Sequence, residues 1–317
     1  MIRSGLAVLA LTCLAHATCA DGAELKSREF KLMLEPARFA EADPAAKVDD
    51  FWEQQLKPLI AQRLDPRKGG GPRHKKRFTP EAEQSIIFKD TDGCVLERNG
   101  YIFRKRTTFE NGQPAEREVT LKYRTPDLAR TAASTFKGID PKAKSKLEED
   151  ITPLIELTSG EATFAQPPST RSQFSFSVTQ PASDDPQSLR DLVGLFPRFD
   201  KRLAKAGVGE AAFDGKLSDG KHFTQRGFSG ALVDLGAVDS KFELVLWYGK
   251  DGSLPQPEIA ELSFKYNIDD ADAAVVERAR KLFNALQQLP PDWTSPAHQT
   301  KTEAGLPVAC ARQPRDN

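Results

Sequence analysis

The segment Glu118-Val119-Thr120-Leu121-Lys122-Tyr123-Arg124 alternates without a break between polar and apolar side chains. A period of two belongs to an extended strand, so Glu118, Thr120, Lys122 and Arg124 share one face while Val119, Leu121 and Tyr123 share the other. The division recurs along the chain. Glu29 and Lys31 oppose Phe30 and Leu32; Arg104 and Arg106 oppose Phe103 and Lys105; Arg171, Gln173, Ser175 and Ser177 oppose Phe174, Phe176 and Val178; Glu261, Ser263 and Lys265 oppose Leu262, Phe264 and Tyr266. One such strand describes an antiparallel sheet with a wet side. Several, most with Lys or Arg on the polar face, fit an α+β protein built on a closed antiparallel β-barrel, with helices packed outside and a polar interior. Charges confined in such a lumen are costly unless each cation meets a carboxylate or the site awaits an anion.

Further strand-like text covers Ser85 to Lys89, Lys146 to Ile151, Lys221 to Arg226, Ala231 to Leu235 and Lys241 to Tyr248, mostly bounded by Gly, Pro, Asn or Asp. Helical spacing marks Val48 to Ile60, with a kink expected at Pro58, then Leu189 to Lys205 and Asp270 to Leu289. The basic loop Arg67 to Arg77 holds Gly69-Gly70-Gly71-Pro72 but lacks the Gly-Lys-Ser/Thr ending of a phosphate loop. Trp52, Trp247 and Trp293 read as packing residues.

At the N-terminus a short basic start precedes an apolar run from Gly5 to Ala15, followed by small-x-small steps ending at Ala17 and Ala20. This is the pattern of a removable export leader, residues 1–20, which places the mature chain in the periplasm or outside the cell. His16 stands where a lipoprotein signal needs a branched or Leu residue before Cys19. Loss of the leader leaves Cys94 and Cys310, which an oxidising compartment permits to pair. The predicted layout is one barrel domain over 21–293 and an irregular tail over 294–317, ordered only if Cys310 is tied down. No later run is long enough for an integral membrane anchor. The 45 Lys and Arg residues balance 45 Asp and Glu, so bulk charge gives no support for a nucleic-acid partner and leaves the oligomeric state open.

Other chemistries lack their residues. His74, His222 and His298 are scattered, and Ser229 in Gly227-Phe228-Ser229-Gly230 has its closing glycine one residue early for a nucleophile elbow. Asp90-Thr91-Asp92-Gly93 would need a glutamate where Tyr101 stands to be a calcium loop.

The stretch Phe88-Lys89-Asp90-Thr91-Asp92, then Leu96, then Arg98-Asn99-Gly100-Tyr101-Ile102-Phe103-Arg104-Lys105-Arg106, then Thr120-Leu121-Lys122, resembles the core signature of the CYTH family, the triphosphate tunnel metalloenzymes. Glu29-Phe30-Lys31 resembles that family's first strand, Lys146 to Asp150 its Arg-x-Glu region, and Ala260 to Lys265 a late strand that normally carries paired glutamates. The resemblance implies a tunnel of about eight antiparallel strands in which Lys and Arg grip a triphosphate while glutamates hold Mg²⁺ or Mn²⁺. By that analogy Arg104, Arg106, Lys122, Arg124, Arg171 and Arg226 contact phosphate, Lys31 and Glu29 serve the reacting phosphoryl group, and Glu29, Glu148 and Glu261 hold the metal. The implied ligand is a small phosphorylated anion such as inorganic tripolyphosphate, and the implied reaction is metal-assisted hydrolysis. Two positions depart from the pattern. Ser27 and Ser263 stand where the family has glutamates, and Lys265 adds a cation near the implied metal. A site short of two carboxylates holds a divalent ion less well, which leaves anion binding without catalysis as the alternative function.

Overall fold

The computed structural model describes residues 23–182, 185–249, 255–296 and 299–311; the expected leader lies outside them. Nine long strands close into a barrel: β1 (Leu25–Leu34), β2 (Gln84–Thr91), β3 (Tyr101–Glu110), β4 (Gln113–Thr125), β5 (Lys144–Pro153), β6 (Thr170–Pro181), β7 (Leu217–Asp234), β8 (Asp239–Gly249) and β9 (Ile259–Asn267). Round the barrel they run β8-β9-β1-β5-β6-β4-β3-β2-β7, and β7 pairs back onto β8. The sheet has no free edge between these strands.

The expectation of a purely antiparallel barrel of about eight strands is corrected here by parity. A ring of nine strands cannot alternate direction all the way round, so one neighbouring pair must run parallel. That pair is β1 and β5, with Glu29 opposite Asp150 and Phe30 opposite Ile151. The segments Lys221 to Arg226 and Ala231 to Leu235 merge into the single strand β7, whose pairing shifts between Ser229 and Leu232 absorb the intervening Gly230.

Outward-facing apolar residues make two cores against helices. Phe30, Leu32, Phe242, Leu244 and Phe264 pack on Val275, Ala279, Leu282, Phe283 and Leu286 of helix Ala273–Leu286, and on Phe51, Trp52, Leu56 and Ile60. The Phe30 and Phe264 rings stack at 4.6 Å. On the other flank Tyr101, Phe103, Leu121, Tyr123 and Phe176 pack on Leu192, Phe199 and Leu203. Each fully buried side chain of this size contributes about 1.5–3 kcal/mol relative to an exposed one, so the outside of the barrel holds the fold together.

The irregularity expected at Pro58 takes the form of a π-turn, Trp52–Leu56, between helices Ala45–Phe51 and Lys57–Arg63. Pro58 then falls in the first turn of a helix, where its missing N–H is least costly. The Leu189 to Lys205 pattern divides into Leu189–Leu195 and Phe199–Lys205, because Pro197 forces Phe196 out of the helical region and Arg198 turns the chain at φ +75°.

The described residues of the segment predicted as an irregular tail, 294–296 and 299–311, pack against the barrel strands. Ser295 N–H donates to the Met33 carbonyl at 3.1 Å. A short helix, Lys301–Gly305, is capped by Thr300 and Glu303, and Cys310 forms a disulfide with Cys94 across 5.3 Å between Cα atoms. Among the described residues no helix is long and apolar enough to cross a membrane.

Candidate functional site

Alternation aims one face of every barrel strand inward, and strand pairing sets which inward residues meet. Glu29 on β1 stands opposite Lys265 on β9, and Lys31 opposite Ser263. Lys122 and Arg124 on β4 stand opposite Ser177 and Ser175 on β6. Arg104 and Arg106 on β3 lie opposite Thr120 and Glu118 on β4.

Asp150 on β5 is the hub. Its carboxylate accepts from Lys31 Nζ at 2.7 Å, Lys122 Nζ at 3.3 Å, Arg124 Nη2 at 3.2 Å and Ser175 Oγ at 3.4 Å. Burial alone would raise its pKa, but the cations, Lys122 and Lys31 foremost, hold it well below the usual carboxylate range. Glu29 behaves alike: burial works against its charge, yet the Lys31 ammonium at 3.0 Å and Lys265 bring it down to about 2. Lys31 resists the loss of solvation because Asp150 and Glu29 both face it, and its pKa lies above the ordinary lysine value. Lys122 has only the longer contact to Asp150. Burial, with repulsion from Arg124 and Lys31, lowers it to about 8.

The other cations are less well answered. Arg104 forms no ion pair with any described residue, and burial together with Arg106 lowers its pKa to about 9. Arg106 reaches Glu118 only at 3.9 Å. The Nε–H groups of Arg104, Arg106 and Arg124 are buried without a hydrogen-bond partner. A buried donor left unmade costs roughly 1–3 kcal/mol, more on a charged group, and three together mark a place shaped for acceptor oxygens that the chain itself does not supply.

The structure therefore brings Lys31, Glu29, Lys122 and Arg124 around Asp150, with Arg104 and Arg106 on β3, the strand next to that of Lys122 and Arg124, on the same inner face. Two residues implied by the resemblance lie elsewhere. Arg171 is exposed and donates to Thr152 Oγ1 at 3.2 Å. Arg226 is on the outer face, over the Tyr248 ring at 4.9 Å and donating to the Ala42 carbonyl, because its neighbours Gln225 and Gly227 take the inward positions of β7. Asp150 was missed by the sequence reading, although period two places it beside Glu148 on one face.

The implied metal ligands do not converge. Glu148 accepts from Ser27 Oγ at 3.2 Å and pairs with Lys146 at 2.8 Å; Glu29 pairs with Lys31; Glu261 pairs with Lys301 at 2.7 Å. No three carboxylate, His or Cys side chains among the described residues gather in a set able to hold a cation. Each carboxylate is already answered by an ammonium or guanidinium, so these residues do not fit a divalent ion. Two depressions, one lined by Thr135, Phe136 and Arg198 and one by Gln54, Pro58 and Leu289, lie outside the barrel, away from these charges.

No protein-family model and no curated protein matches this chain. Solved structures do resemble it. A putative adenylyl cyclase from Hippeastrum, described as having a dominant triphosphatase activity, aligns at 13% identity over 89% of this chain and 95% of that one, with a TM-score of 0.41. A putative adenylate cyclase from Bacillus halodurans aligns at 11% identity over 83% and 92% of the two chains, with a TM-score of 0.33. A Pyrococcus horikoshii protein aligns at 12% identity over 81% and 89%, with a TM-score of 0.29. At such identities the chemistry of this chain is read from its own side chains.

Proposed function

We propose that the barrel is a binding tunnel for a polyphosphate-type anion such as inorganic tripolyphosphate. The observation that carries this reading is the set of three guanidinium Nε donors, on Arg104, Arg106 and Arg124, buried on the inner wall without partners. Arg presents a planar fork to phosphate oxygens and Lys a point charge, and Lys122 and Lys31 stand beside that wall. An anion entering there would meet unmade hydrogen bonds and relieve the mutual repulsion of Arg104 and Arg106. The sequence resemblance to triphosphate tunnel proteins supports the same ligand class. The export leader read at the N-terminus favours inorganic polyphosphates, since nucleoside triphosphates are scarce outside the cytoplasm. Hydrolysis is not part of this reading, because the carboxylates that would hold an activating metal are paired with cations.

The test is a melting experiment on the purified chain with tripolyphosphate, with and without Mg²⁺. A rise in Tm is expected in both, and Arg104→Ala combined with Lys122→Ala should remove it. No rise in either condition overturns the reading. Release of phosphate in Mg²⁺ or Mn²⁺ would instead restore the hydrolase.

A further inference from the structure

The inner face is not charged all the way round, and apolar residues stand beside the cations: Phe88 lies opposite Arg104 and Ile102 opposite Lys122. Met33 follows Lys31 on β1 and Ile102 precedes Arg104 on β3; Ile86 and Phe88 on β2, Phe223 on β7, Trp247 on β8 and Ile259 on β9 complete an apolar stretch of the lumen. The chain's own C-terminal segment fills it. Leu306 and Cys310 are buried there, with Ala304 packed alongside. The seat is cut to a bare backbone: a Cβ on Gly305 would lie 2.3 Å from Phe88 Cδ2, and one on Gly220 would lie 2.0 Å from the Gly305 carbonyl oxygen.

One side chain of this segment points towards the charged part of the tunnel. Lys301 extends past the Trp247 ring, 5.8 Å from its centroid, and its ammonium meets Glu261 at 2.7 Å. Glu261 is nearly buried and its field also acts on Lys31, so Lys301 belongs electrostatically to the cluster around Asp150. At the far end of the segment the Cys94–Cys310 disulfide joins the tail to the turn after β2. Lys301 is thus held between a capped helix start and a covalent anchor nine residues on.

We propose that Lys301 is the tunnel's built-in counter-cation at Glu261, kept in place by the Cys94–Cys310 disulfide, and that it balances the charge there so that the tunnel takes a polyphosphate-type anion without a divalent metal. The proposal rests on the anion-binding reading above. Its chemistry is electrostatic. Without Lys301 the Glu261 carboxylate would stand uncompensated beside the bound anion and repel it; with Lys301 the carboxylate is neutralised from within the chain. Reduction of the disulfide frees the anchor and lets Lys301 leave, so anion affinity becomes sensitive to thiols.

The test titrates tripolyphosphate by calorimetry into the full chain in EDTA and in Mg²⁺. Wild type should bind equally in the two, within about twofold, whereas Lys301→Ala and Cys310→Ser should bind about tenfold more weakly in EDTA, the loss of one close charge interaction, with Lys301→Arg close to wild type. Wild-type affinity that depends on Mg²⁺ by about tenfold or more, or Lys301→Ala equal to wild type, overturns the proposal. A second readout needs no anion. Reductive methylation followed by mass spectrometry should modify Lys301 more slowly than the exposed Lys281, and Glu261→Gln or Cys310→Ser should remove the protection. Equal labelling of Lys301 in wild type and in Glu261→Gln sinks the pairing itself. Protected Lys301 in a wild type that binds no tripolyphosphate overturns the metal-free anion site while the pairing stands.

Discussion

The two parts of the barrel lumen are made by the same rule and serve opposite ends. In one, inward positions carry Glu29, Lys31, Lys122, Arg124 and Asp150; in the other, inward positions on the same strands or their neighbours carry Met33, Ile102, Phe88 and Trp247. The apolar part is satisfied, because Leu306 and Cys310 fill it and exclude water. The charged part is not, because cations such as Arg104 keep donors with nothing to bond. A closed barrel can leave polar groups unmet only where the rest of the molecule is well packed. Here the outer cores and the plugged apolar part supply that stability, and the cationic wall beside it is free to serve a ligand.

The sharpest way to break this contrast is to remove its hub. Asp150→Ala should cost about 3–5 kcal/mol in chemical denaturation, because Lys31, Lys122 and Arg124 would be left buried without their carboxylate. Tripolyphosphate should restore more stability to this variant than to wild type. An Asp150→Ala chain as stable as wild type would mean that the cluster is solvated in solution. In the apolar part, Gly220→Ala should cost about 1–3 kcal/mol through overpacking, since the added Cβ meets the Gly305 backbone rather than a flexible side chain. Its anion affinity should fall with the dislodged tail, so stability and binding move together there.

Arg104→Ala should separate them. It removes a cation with no ion-pair partner, so the Tm should change little or rise while tripolyphosphate affinity drops by about tenfold. A fall in Tm with unchanged affinity would make Arg104 structural. A pH series tests Lys122 in turn. Its pKa in the free protein is lowered to about 8, and a bound anion favours the charged form, so binding takes up a proton above that value. The affinity for sulfate, whose own charge is constant, should therefore fall by about tenfold between pH 7 and pH 9, and Lys122→Arg should flatten the profile. The smallest effect belongs to Arg226→Ala, which should change anion affinity by less than about twofold because that side chain lies outside the barrel.

Much of the site is legible in the alternation. Glu29, Lys31, Arg104, Arg106, Lys122 and Arg124 all reach the lumen because strand geometry allows an inward residue only at every second position. Arg226 and Asp150 show where the reading stops. Arg226 lies on a strand whose charged and apolar residues do not alternate cleanly, so its face depended on pairing with Leu246 of β8. Asp150 sits in the run Glu148-Glu149-Asp150, where three acids in succession conceal whether the Glu148–Asp150 face or the Glu149 face points inward.

The amino-acid order by itself determined that the strands have one charged and one apolar face, because the period of a strand is a local property of the backbone. It also supplied the two cysteines. What only the tertiary structure decided is which charges meet. The parallel β1–β5 pair sets Asp150 level with Glu29 and within reach of Lys31, and the return of the C-terminal segment brings Lys301 to Glu261. Both are contacts between residues far apart in the chain. No local rule specifies them, since they follow from closing nine strands into a ring and from what then fits inside it.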